Sequence, residues 1–380
     1  MSGRTLLRIT GDTPRRRGED RGRRAGDAIA RAWRVYDELF TTVAAGSAGS
    51  AGSGRAPDVR ALALRTADAT RAWAPELVEE MEGVAEGAGL PFWTIAALNA
   101  RTEILAEAGA PRAGECSTLV LTGPRSTGGQ CWDWHEELAG AWHLQTVTGD
   151  VHGFAGITEH GILAKIGVNE AGVGVLFNIL GHTDDAATGV PVHLVARQVL
   201  GTAGSFAEAV GMLTGAPVSA STVITVVTAE RAASVELALA GSAVVVPDDR
   251  GWLTRTNHFL DPSLAAGELR GRREPETYDR HRLLGRRVRA HTGPLGPDAL
   301  VRLLSAHRED GAEVCCHAPA EGALGSRWAT LATLAVDPAE RRLLVHDGGP
   351  CTADPSTWTP LTAPTRPNAA SAGAPKAPAH

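Results

Sequence analysis

Two short stretches of the sequence carry side chains that could perform nucleophilic chemistry together. Cys116 opens the run CSTLVL, and Asp133 lies between two tryptophans in the run GGQCWDWH. A thiol is the most nucleophilic neutral side chain, but it needs a base or a lowered pKa before it attacks a carbonyl. No histidine adjoins Cys116, so a Cys–His pair would have to assemble in space from His135, His160 or His258.

The backbone of the cysteine itself offers a second source of the base. If the Glu115–Cys116 bond is cut, the new α-amino group lies on the residue of the nucleophile. The reference pKa of such an amine is about 8, which suits it to accept the thiol proton near neutral pH. Threonine nucleophiles that use their own N-terminal amine follow the same logic. At this point the histidine and the amine are both open as the base.

Length and charge exclude several classes of function. The chain has 380 residues and a formal net charge of −6, which indicates no basic face for nucleic acid or a membrane surface. The arginine-rich stretch 14–24 also contains Glu19 and Asp20, so we expect a solvated charged face there. No stretch approaches the roughly 18 apolar residues of a membrane span. The first residues lack the apolar core of a secretory signal, and we therefore expect a cytoplasmic protein.

The cysteines indicate neither a disulfide framework nor a metal site. There are five of them, an odd number at irregular spacing. The run CCH comprises Cys315, Cys316 and His317, but no second group of ligands follows at a spacing typical of zinc sites. We therefore interpret these residues as core or surface packing, and we expect Cys131 and Cys351 to be bystanders.

Hydrophobic periodicity predicts a change of structure at Cys116. The chain before it has helical spacing of apolar residues, interrupted by a flexible Gly/Ser insertion at 46–55. Short strands follow Cys116, then two helices within 189–217, more strands, helices at 274–292 and 297–307, and a closing hairpin. This order of elements predicts an α+β domain in which sheets lie between helices.

Several motifs occur together in a fixed order. They are EMEGVAEGAGLPFWTIAALNARTEI, ECSTLVL, GGQCWDWH, ITEHGILAKIGVNEAGVGVLFNIL, RTNHF and TLATLAVDPAERRLLVHDGGPC. The set resembles the acyl-coenzyme A:6-aminopenicillanic acid acyltransferase (isopenicillin-N acyltransferase) family of self-cleaving N-terminal-nucleophile (Ntn) hydrolases. The resemblance implies a four-layer αββα fold with two antiparallel sheets between helical layers, and a chemistry that needs no metal or organic cofactor.

The resemblance also implies a division of the chain by self-cleavage. Residues 1–115 would form a helical α-chain that precedes the nucleophile, so the intact chain would be a zymogen. Residues 116–362 would form the β-chain, which carries the nucleophile and the sheets, and the two chains would stay together as a heterodimer. The tail 363–380 is rich in Ala, Pro, Ser and Gly, and its composition predicts disorder.

The resemblance further implies roles for individual residues. Cys116 would be the nucleophile and the new first residue, and Asp133 would help to hold the freed amine. Thr118 would support the nucleophile through its hydroxyl group. Asn257 would donate its side-chain N–H to the oxyanion, an interaction that contributes about 3 kcal/mol in such enzymes. Arg327 would match the arginine of a Ser-Arg pair in the family, although its spacing to the final hairpin is shifted.

Two positions depart from the pattern of the family. Glu115 replaces the glycine that often precedes the cysteine, so its carboxylate would assist cleavage or processing would be slow or absent. Cys131 replaces the asparagine of the Gln-Asn-Trp-Asp element. A further alternative concerns three tryptophans that would line an acyl pocket or belong to the core: Trp132, Trp134 and Trp142.

These observations predict a cytoplasmic amidohydrolase or acyltransferase that forms a thioester acyl-enzyme. Its partner would be a small-molecule amide or an acyl thioester, and a role in secondary metabolism is plausible. We favour hydrolysis because water needs no dedicated site. Two alternatives are an unprocessed Cys–His hydrolase that uses His135 or His258, and a catalytically silent relative that serves as a binding protein.

Overall fold

The computed structural model describes residues 3–47, 58–108 and 116–365. The predicted cleavage-site residue Glu115 lies outside these described residues, as do most of the predicted Gly/Ser insertion at 46–55 and residues 366–380 of the predicted tail.

Eleven α-helices occur within the described ranges. They are α1 (Pro14–Ser47), α2 (Val59–Trp73), α3 (Pro75–Ala88), α4 (Phe92–Asn99), α5 (Arg101–Glu107), α6 (Val192–Thr202), α7 (Phe206–Thr214), α8 (Pro262–Ala265), α9 (Arg270–Arg273), α10 (Glu276–Ala290) and α11 (Pro297–Leu304). Short 3₁₀ helices span Glu136–Leu138, Arg308–Asp310 and Pro350–Thr352. The helices predicted at 274–292 and 297–307 are confirmed by α10 and α11.

The strands of the described chain form two sheets. They are β1 (Leu6–Ile9), β2 (Ser117–Leu121), β3 (Thr127–His135), β4 (Trp142–Val147), β5 (Phe154–Glu159), β6 (Ile166–Asn169), β7 (Gly174–Ile179), β8 (Thr222–Val227), β9 (Ala232–Ala238), β10 (Gly241–Val245), β11 (Trp252–Arg255), β12 (Trp328–Asp337), β13 (Arg342–Asp347) and β14 (Thr359–Thr362). The larger sheet has the order β1-β4-β5-β6-β7-β8-β9-β10, and the smaller sheet has the order β11-β2-β3-β12-β13-β14.

The two sheets face each other, and helices cover their outer sides. Side chains alternate between the faces of a strand, and β7 shows both environments. Asn178 reaches across to β2 of the smaller sheet, whereas its neighbour Phe177 stacks on His193 of α6 with ring centroids 5.0 Å apart. On the far side, the α11 residue Leu300 contacts β3 at Gly129. The predicted α+β class with a four-layer αββα arrangement is therefore confirmed.

Two details differ from the predicted architecture. Strand β1 pairs in parallel with β4, so the larger sheet is mixed rather than wholly antiparallel. The segment 1–115 is accordingly not only helical, because it contributes an edge strand in which the buried residues Leu7 and Ile9 alternate with more exposed ones. At the other end, Ala363 is buried and its backbone N–H donates to the Arg341 carbonyl at 2.9 Å, so the ordered chain extends past the predicted start of the tail.

Glycines allow α1 and α3 to cross at close range. A Cβ atom on Gly22 of α1 would clash with the Val84 carbonyl oxygen and lie 2.6 Å from the Ala88 nitrogen of α3. A Cβ atom on Gly83 of α3 would likewise clash with the Arg15 carbonyl of α1. The two backbones therefore pack directly against each other, as small residues permit at helix crossings.

This crossing buries part of the arginine-rich stretch 14–24, which is a correction to the predicted solvated face. Arg17 and Arg21 are 3% and 0% exposed, and both lie beside the buried carboxylate of Glu80 on α3. Arg197 of α6 completes the cluster, with Nη2 2.6 Å from Glu80 Oε2. Each buried charge therefore has an opposite charge beside it, as burial requires.

No helix within the described ranges is long and apolar enough to span a membrane.

The helix crossing generates a test of the fold. Gly22→Ala should lower the free energy of unfolding by about 1–3 kcal/mol, because overpacking outweighs the gain of about 1 kcal/mol in helix propensity. Gly26→Ala is the matched control one turn further along α1, where the nearest atom would lie 3.4 Å from the new Cβ. Urea unfolding of both variants measures the difference. Equal stability of the two variants would contradict the close crossing.

Candidate active site

Cys116 is the residue directly before β2, which lies between the edge strand β11 and β3 in the smaller sheet. Its side chain is 5% exposed, and Sγ lies 4.0 Å from the backbone oxygen of Asp133 on β3. The antiparallel register pairs Ser117 with Cys131, so β3 continues past the start of β2 with Asp133. Strand pairing therefore brings the predicted nucleophile and the predicted amine-holding acid together.

Side chains from two layers hold the backbone carbonyl of Cys116. It accepts hydrogen bonds from Asn178 Nδ2 at 2.9 Å and from Arg280 Nη1 at 3.2 Å. Thr118 Oγ1 donates to Asn178 Oδ1 at 2.8 Å, which fixes the orientation of this amide. Thr118 thus reaches the nucleophile through Asn178, and its supporting role stays a prediction. Asn178 lies on β7 and Arg280 on α10, so the carbonyl joins both sheets to the outer helical layer.

Arg280 also connects the nucleophile to Asn257. Its Nη2 donates to Asn257 Oδ1 at 3.1 Å, and its Nη1 donates to Ser117 Oγ at 3.0 Å. Asn257 Nδ2 donates to the Ile179 carbonyl at 2.8 Å. The amide nitrogen carries two hydrogens, and Ile179 takes one of them. Asn257 therefore belongs to the same polar network as Cys116, and its role as an oxyanion donor stays a prediction.

A buried cationic group lies near the nucleophile. Lys165 Nζ lies 3.0 Å from Glu159 Oε2 and 4.1 Å from the centre of the Trp132 ring. Arg101 Nη2 donates to the same carboxylate oxygen at 2.9 Å, and Tyr36 donates to its other oxygen. Burial is the main cause that lowers the pKa of Lys165, to about 8. Lys165 can therefore change its charge within the pH range of ordinary enzyme assays.

The environment of Cys116 favours the neutral thiol. Burial raises the pKa of the Cys116 thiol above its usual value, the Asp133 carboxylate raises this pKa further, and the positive charge of Lys165 lowers it. Desolvation dominates because a thiolate loses its hydration in the interior. The thiol therefore needs a proton acceptor when it attacks a carbonyl.

The three candidate histidines have other surroundings. The ring of His135 lies against Trp328 at an interplanar angle of 44°, His160 stacks on His143, and the Nδ1 atom of His258 lies 3.1 Å from Thr256 Oγ1. Burial lowers the pKa of His135 and His258 to about 3 and that of His160 to about 4. Within the described chain, no hydrogen bond joins any of these three rings to Cys116 Sγ. The contacts therefore give no support to a preformed Cys–His pair.

Arg327 lies apart from this network. Its Nη2 lies 2.8 Å from Glu136 Oε2, and its Nε donates to the Pro319 carbonyl at 3.0 Å. These contacts lie at the start of β12 and involve a partly exposed side chain. The structure does not bring Arg327 into contact with Cys116, Asp133 or Asn257, so its catalytic role stays a prediction without support from a contact.

Three residues of the network escaped the sequence analysis: Asn178, Arg280 and Lys165. Each is buried: Lys165 interrupts the apolar run GILAKIGV, Asn178 interrupts the apolar run GVLFNIL, and Arg280 lies in the arginine-rich helix ETYDRHRLLGRRVRA. A polar residue within an apolar run is a signal that could have identified Lys165 and Asn178, whereas Arg280 is one of several arginines in its helix and carries no such signal. Trp132, Trp134 and Trp142 are all buried in the hydrophobic core, and the rings of Trp132 and Trp134 also pack against the cations of Lys165 and Arg101. A role of these rings in an acyl pocket stays a prediction.

Comparison with known proteins identifies the family. A sequence profile described as acyl-coenzyme A:6-aminopenicillanic acid acyl-transferase matches residues 122–350. The chain belongs to this family. The 40 kDa form of acyl-coenzyme A:6-aminopenicillanic-acid-acyltransferase from Emericella nidulans is 30% identical over 286 residues, which cover 74% of this chain and 77% of that protein. This family member is therefore an enzyme that acts on acyl–amide bonds, by hydrolysis or by acyl transfer.

The range matched by the family profile covers most of the polar network around Cys116. It contains Asp133, Lys165, Asn178, Asn257 and Arg280, and it begins directly after β2, so Cys116 itself lies before it. The resemblance proposed from the sequence motifs is confirmed at the level of the family.

Two solved structures are similar over much of the chain. An N-acylethanolamine-hydrolyzing acid amidase ortholog from Caenorhabditis elegans is 14% identical with a TM-score of 0.43, covering 59% of this chain and 93% of that chain. Penicillin V acylase from Agrobacterium tumefaciens is 13% identical with a TM-score of 0.42, covering 61% of this chain and 83% of that chain. Similarities of this size establish neither a shared activity nor a shared substrate.

Lys165 provides a test of the electrostatics of the site. Lys165→Met should shift the pH profile of the Cys116 alkylation rate to higher pH, because loss of a nearby positive charge raises the pKa of the thiol. A displacement of one pH unit corresponds to about a tenfold slower reaction on the acidic limb. The pH profiles of the wild type and of Lys165→Met should converge above about pH 8, where Lys165 of the wild type is itself neutral. The measurement is the rate of alkylation by iodoacetamide, followed by mass spectrometry of the peptide containing Cys116.

The control for this experiment is Lys165→Arg, which keeps the positive charge at all pH values tested. Identical profiles for Lys165→Met and Lys165→Arg would show that the charge does not act on the thiol.

Variants of two arginines test whether Arg280, which contacts Cys116 in the structure, or Arg327, which the sequence resemblance implies, supports the reaction. Arg280→Met should slow acylation of Cys116 by about 10- to 100-fold, since it removes hydrogen bonds from a charged donor worth about 1.5–3 kcal/mol. Arg327→Met, which removes a partly exposed pair with Glu136, should change the rate by less than about threefold. The rate is measured with a small acyl thioester as acyl donor. A larger loss for Arg327→Met than for Arg280→Met would favour the role implied by the sequence resemblance.

Proposed function

We propose that this chain is a self-processing N-terminal-cysteine amidohydrolase or acyltransferase. Cys116 forms a thioester with the acyl group of a small N-acyl compound. The observation that carries this proposal is the placement of a buried thiol at the head of β2, with its own carbonyl held by Asn178 and Arg280 beside Asp133. Family membership supports the amide chemistry.

Self-cleavage at the Glu115–Cys116 bond would proceed through a thioester. Cys116 Sγ attacks the carbonyl carbon of Glu115, the C–N bond breaks, and the amide nitrogen takes the thiol proton to become an amine. Water then adds to the thioester carbonyl, which becomes the carboxylic acid of Glu115, and returns a proton to sulfur. The products are the chains 1–115 and 116–380, with a free amine and a free thiol on Cys116.

The new amine would then serve as the base. Its ordinary pKa of about 8 allows it to accept the thiol proton near neutral pH. The Asp133 carboxylate lies close enough to Cys116 to affect the pKa of its thiol, and a negative charge there also stabilises the ammonium form. A chain terminus frays unless it is tied down. The hydrogen bonds from Asn178 and Arg280 to the Cys116 carbonyl provide this anchor.

Acyl transfer would follow the same geometry. The amine of Cys116 takes the thiol proton as sulfur attacks the substrate carbonyl, and the second hydrogen of Asn257 Nδ2 is the donor proposed for the oxyanion. The ammonium group then protonates the departing amine, which leaves a thioester on Cys116. Water or an acceptor amine resolves it. We favour water because it needs no binding site of its own, although the relative from Emericella nidulans is named as an acyltransferase.

The two processed chains would remain together as a heterodimer. Strand β1 of the first chain is paired with β4 of the second over four residues, from Leu6 opposite Leu144 to Ile9 opposite Val147. The buried ion pair of Arg101 with Glu159 also crosses between them. Separation would expose both the strand edge and these charges. A cytoplasmic location and a role in secondary metabolism stay predictions.

Intact-mass analysis tests the processing and the nucleophile together. The purified wild-type protein should give two masses, those of residues 1–115 and 116–380, and the second should gain one acyl group after exposure to an acyl thioester. Cys116→Ala should give one mass and no acylation. Cys131→Ala, which changes a buried thiol on the neighbouring strand, should be processed like the wild type.

The competing functions give different results. A single unbroken chain that still hydrolyses amides would support the unprocessed Cys–His enzyme, which His135→Ala and His258→Ala would then test. A chain that is neither cleaved nor acylated would support the silent binding relative.

A further inference from the structure

Four potential metal ligands converge at the surface of the outer helical layer, apart from the polar network around Cys116. They are His307, Cys315, His317 and Cys351, and their ligand atoms all lie within 4.8 Å of one another. The two sulfur atoms are 3.6 Å apart, and the two Nε2 atoms are 3.2 Å apart. His317 Nε2 lies 3.6 Å from Cys315 Sγ and 3.5 Å from Cys351 Sγ.

These four distances match four of the six edges of a zinc tetrahedron, and the two edges from His307 to the sulfurs are at most 4.8 Å long. With zinc–sulfur bonds of about 2.3 Å and zinc–nitrogen bonds of about 2.05 Å, the edges are about 3.8 Å for S–S, about 3.3 Å for N–N and about 3.6 Å for S–N. We propose that His307, Cys315, His317 and Cys351 bind one zinc ion as a Cys₂His₂ site. The proposal gives Cys315, His317 and Cys351 a role as ligands, in place of the packing role expected from the sequence.

Three separate segments of the chain supply the ligands. His307 caps the 3₁₀ helix Arg308–Asp310 after α11, and Cys315 and His317 belong to the segment that leads to β12. Cys351 lies in the 3₁₀ helix that follows β13. Backbone hydrogen bonds fix this arrangement, since Cys315 N–H donates to the Ala306 carbonyl at 2.9 Å.

A glycine leaves room for the sulfur atoms. A Cβ atom on Gly349 would lie only 2.6 Å from Cys315 Sγ and 3.9 Å from Cys351 Sγ. The φ angle of Gly349 is −72°, which other residues adopt readily, so backbone conformation does not require glycine here. The space beside the two sulfurs is the physical reason for the missing side chain.

The donor set selects zinc and a structural role. Two thiolates neutralise the charge of Zn²⁺, and imidazole and thiolate are the ligands that zinc prefers. Four protein ligands close the coordination sphere, which is typical of structural sites and not of catalytic ones. Cys315 is buried, whereas His317 and Cys351 are exposed, so an ion can enter from solvent.

The second nitrogen of His307 has an acidic neighbour. In the structure the ring accepts the backbone N–H of Asp310, which also lies 2.9 Å from the His307 carbonyl. Zinc on Nε2 places the proton on Nδ1, and Nδ1 lies 3.8 Å from Glu309 Oε1. The Asp310 N–H keeps its carbonyl partner, and a side-chain movement of about 1 Å would bring the Glu309 carboxylate to hydrogen-bond distance from Nδ1, the kind of partner that zinc-bound histidines commonly have.

A disulfide between Cys315 and Cys351 is the competing use of the two sulfurs. It would need them about 2.05 Å apart and would give the two histidines no part. The neighbouring thiol Cys316 points elsewhere, with Sγ 3.3 Å from the Trp328 carbonyl. Cys316 is therefore the matched control for any effect of losing a thiol in this segment.

The zinc ion would join the end of the outer layer to the final hairpin. Arg287 of α10 donates to the carbonyls of Leu303 and Ser305, just before His307. The same helix carries Arg280, which holds the Cys116 carbonyl. Binding of zinc would thus stabilise the segment on which α10 rests.

Metal content tests the proposal. Protein without a histidine tag, produced with zinc and passed through a chelating resin, should contain about one zinc ion per chain by plasma mass spectrometry. Cys351→Ser, at an exposed ligand, should reduce this content at least tenfold, and Cys316→Ser and Cys116→Ala should retain it. Thermal unfolding of the wild type, but not of Cys351→Ser, should shift to lower temperature after treatment with a strong chelator.

A spectroscopic measurement on the wild type does not depend on any variant. Cobalt added to chelator-treated protein under reducing conditions should give the visible bands of tetrahedral Co²⁺ with sulfur charge-transfer absorption, and zinc should abolish them. Wild-type protein without zinc and without these bands would overturn the proposal. An intact mass that is two hydrogens lighter than that of the fully reduced chain, together with disulfide-linked peptides containing Cys315 and Cys351 from protein kept in reducing buffer, would assign the sulfurs to a disulfide instead. Neither result depends on whether Cys116 is processed.

Discussion

The backbone carbonyl of Cys116 is the point on which the layers of this protein depend. It is reached by Asn178 from the larger sheet and by Arg280 from the outer helix α10, while Cys116 itself opens β2 of the smaller sheet. Buried polar groups are costly unless each has a partner, so these hydrogen bonds fix the spacing of three layers at once. Cys116 is held by its backbone carbonyl, and neither of these hydrogen bonds involves its sulfur.

Buried charges make the segment before Cys116 part of the core. Glu80 of α3 pairs with Arg197 of α6, and Arg101 of α5 shares the Glu159 carboxylate with Lys165. Removing one partner of such a cluster leaves an uncompensated charge in a medium of low polarity. The first 115 residues are therefore bound to the rest of the molecule by more than their covalent connection, which is compatible with a mechanism that cuts it.

The agreement between sequence and structure is uneven for physical reasons. The helices α10 and α11 and the strand at 117–121 follow from local periodicity, because one face of each element must be apolar. The charged stretch 14–24 was predicted to be solvated, and that was wrong for Arg17 and Arg21. Glycines in α1 and α3 let the two helices approach closely enough to enclose these side chains with Glu80. The charge composition of the stretch does not predict such a close helix crossing.

Motifs and the order of local elements were enough to predict the family, the α+β class and a downstream acid near Cys116, because these depend on short stretches of the chain. The folded arrangement was needed to show that Arg280 and Asn178 hold the Cys116 carbonyl and that Arg327 lies elsewhere. It alone assembled His307, Cys315, His317 and Cys351, whose spacing along the chain matches no familiar metal motif. Hydrogen bonds and metal sites require ångström distances between atoms, and residues from separate segments reach those distances only after the chain has folded.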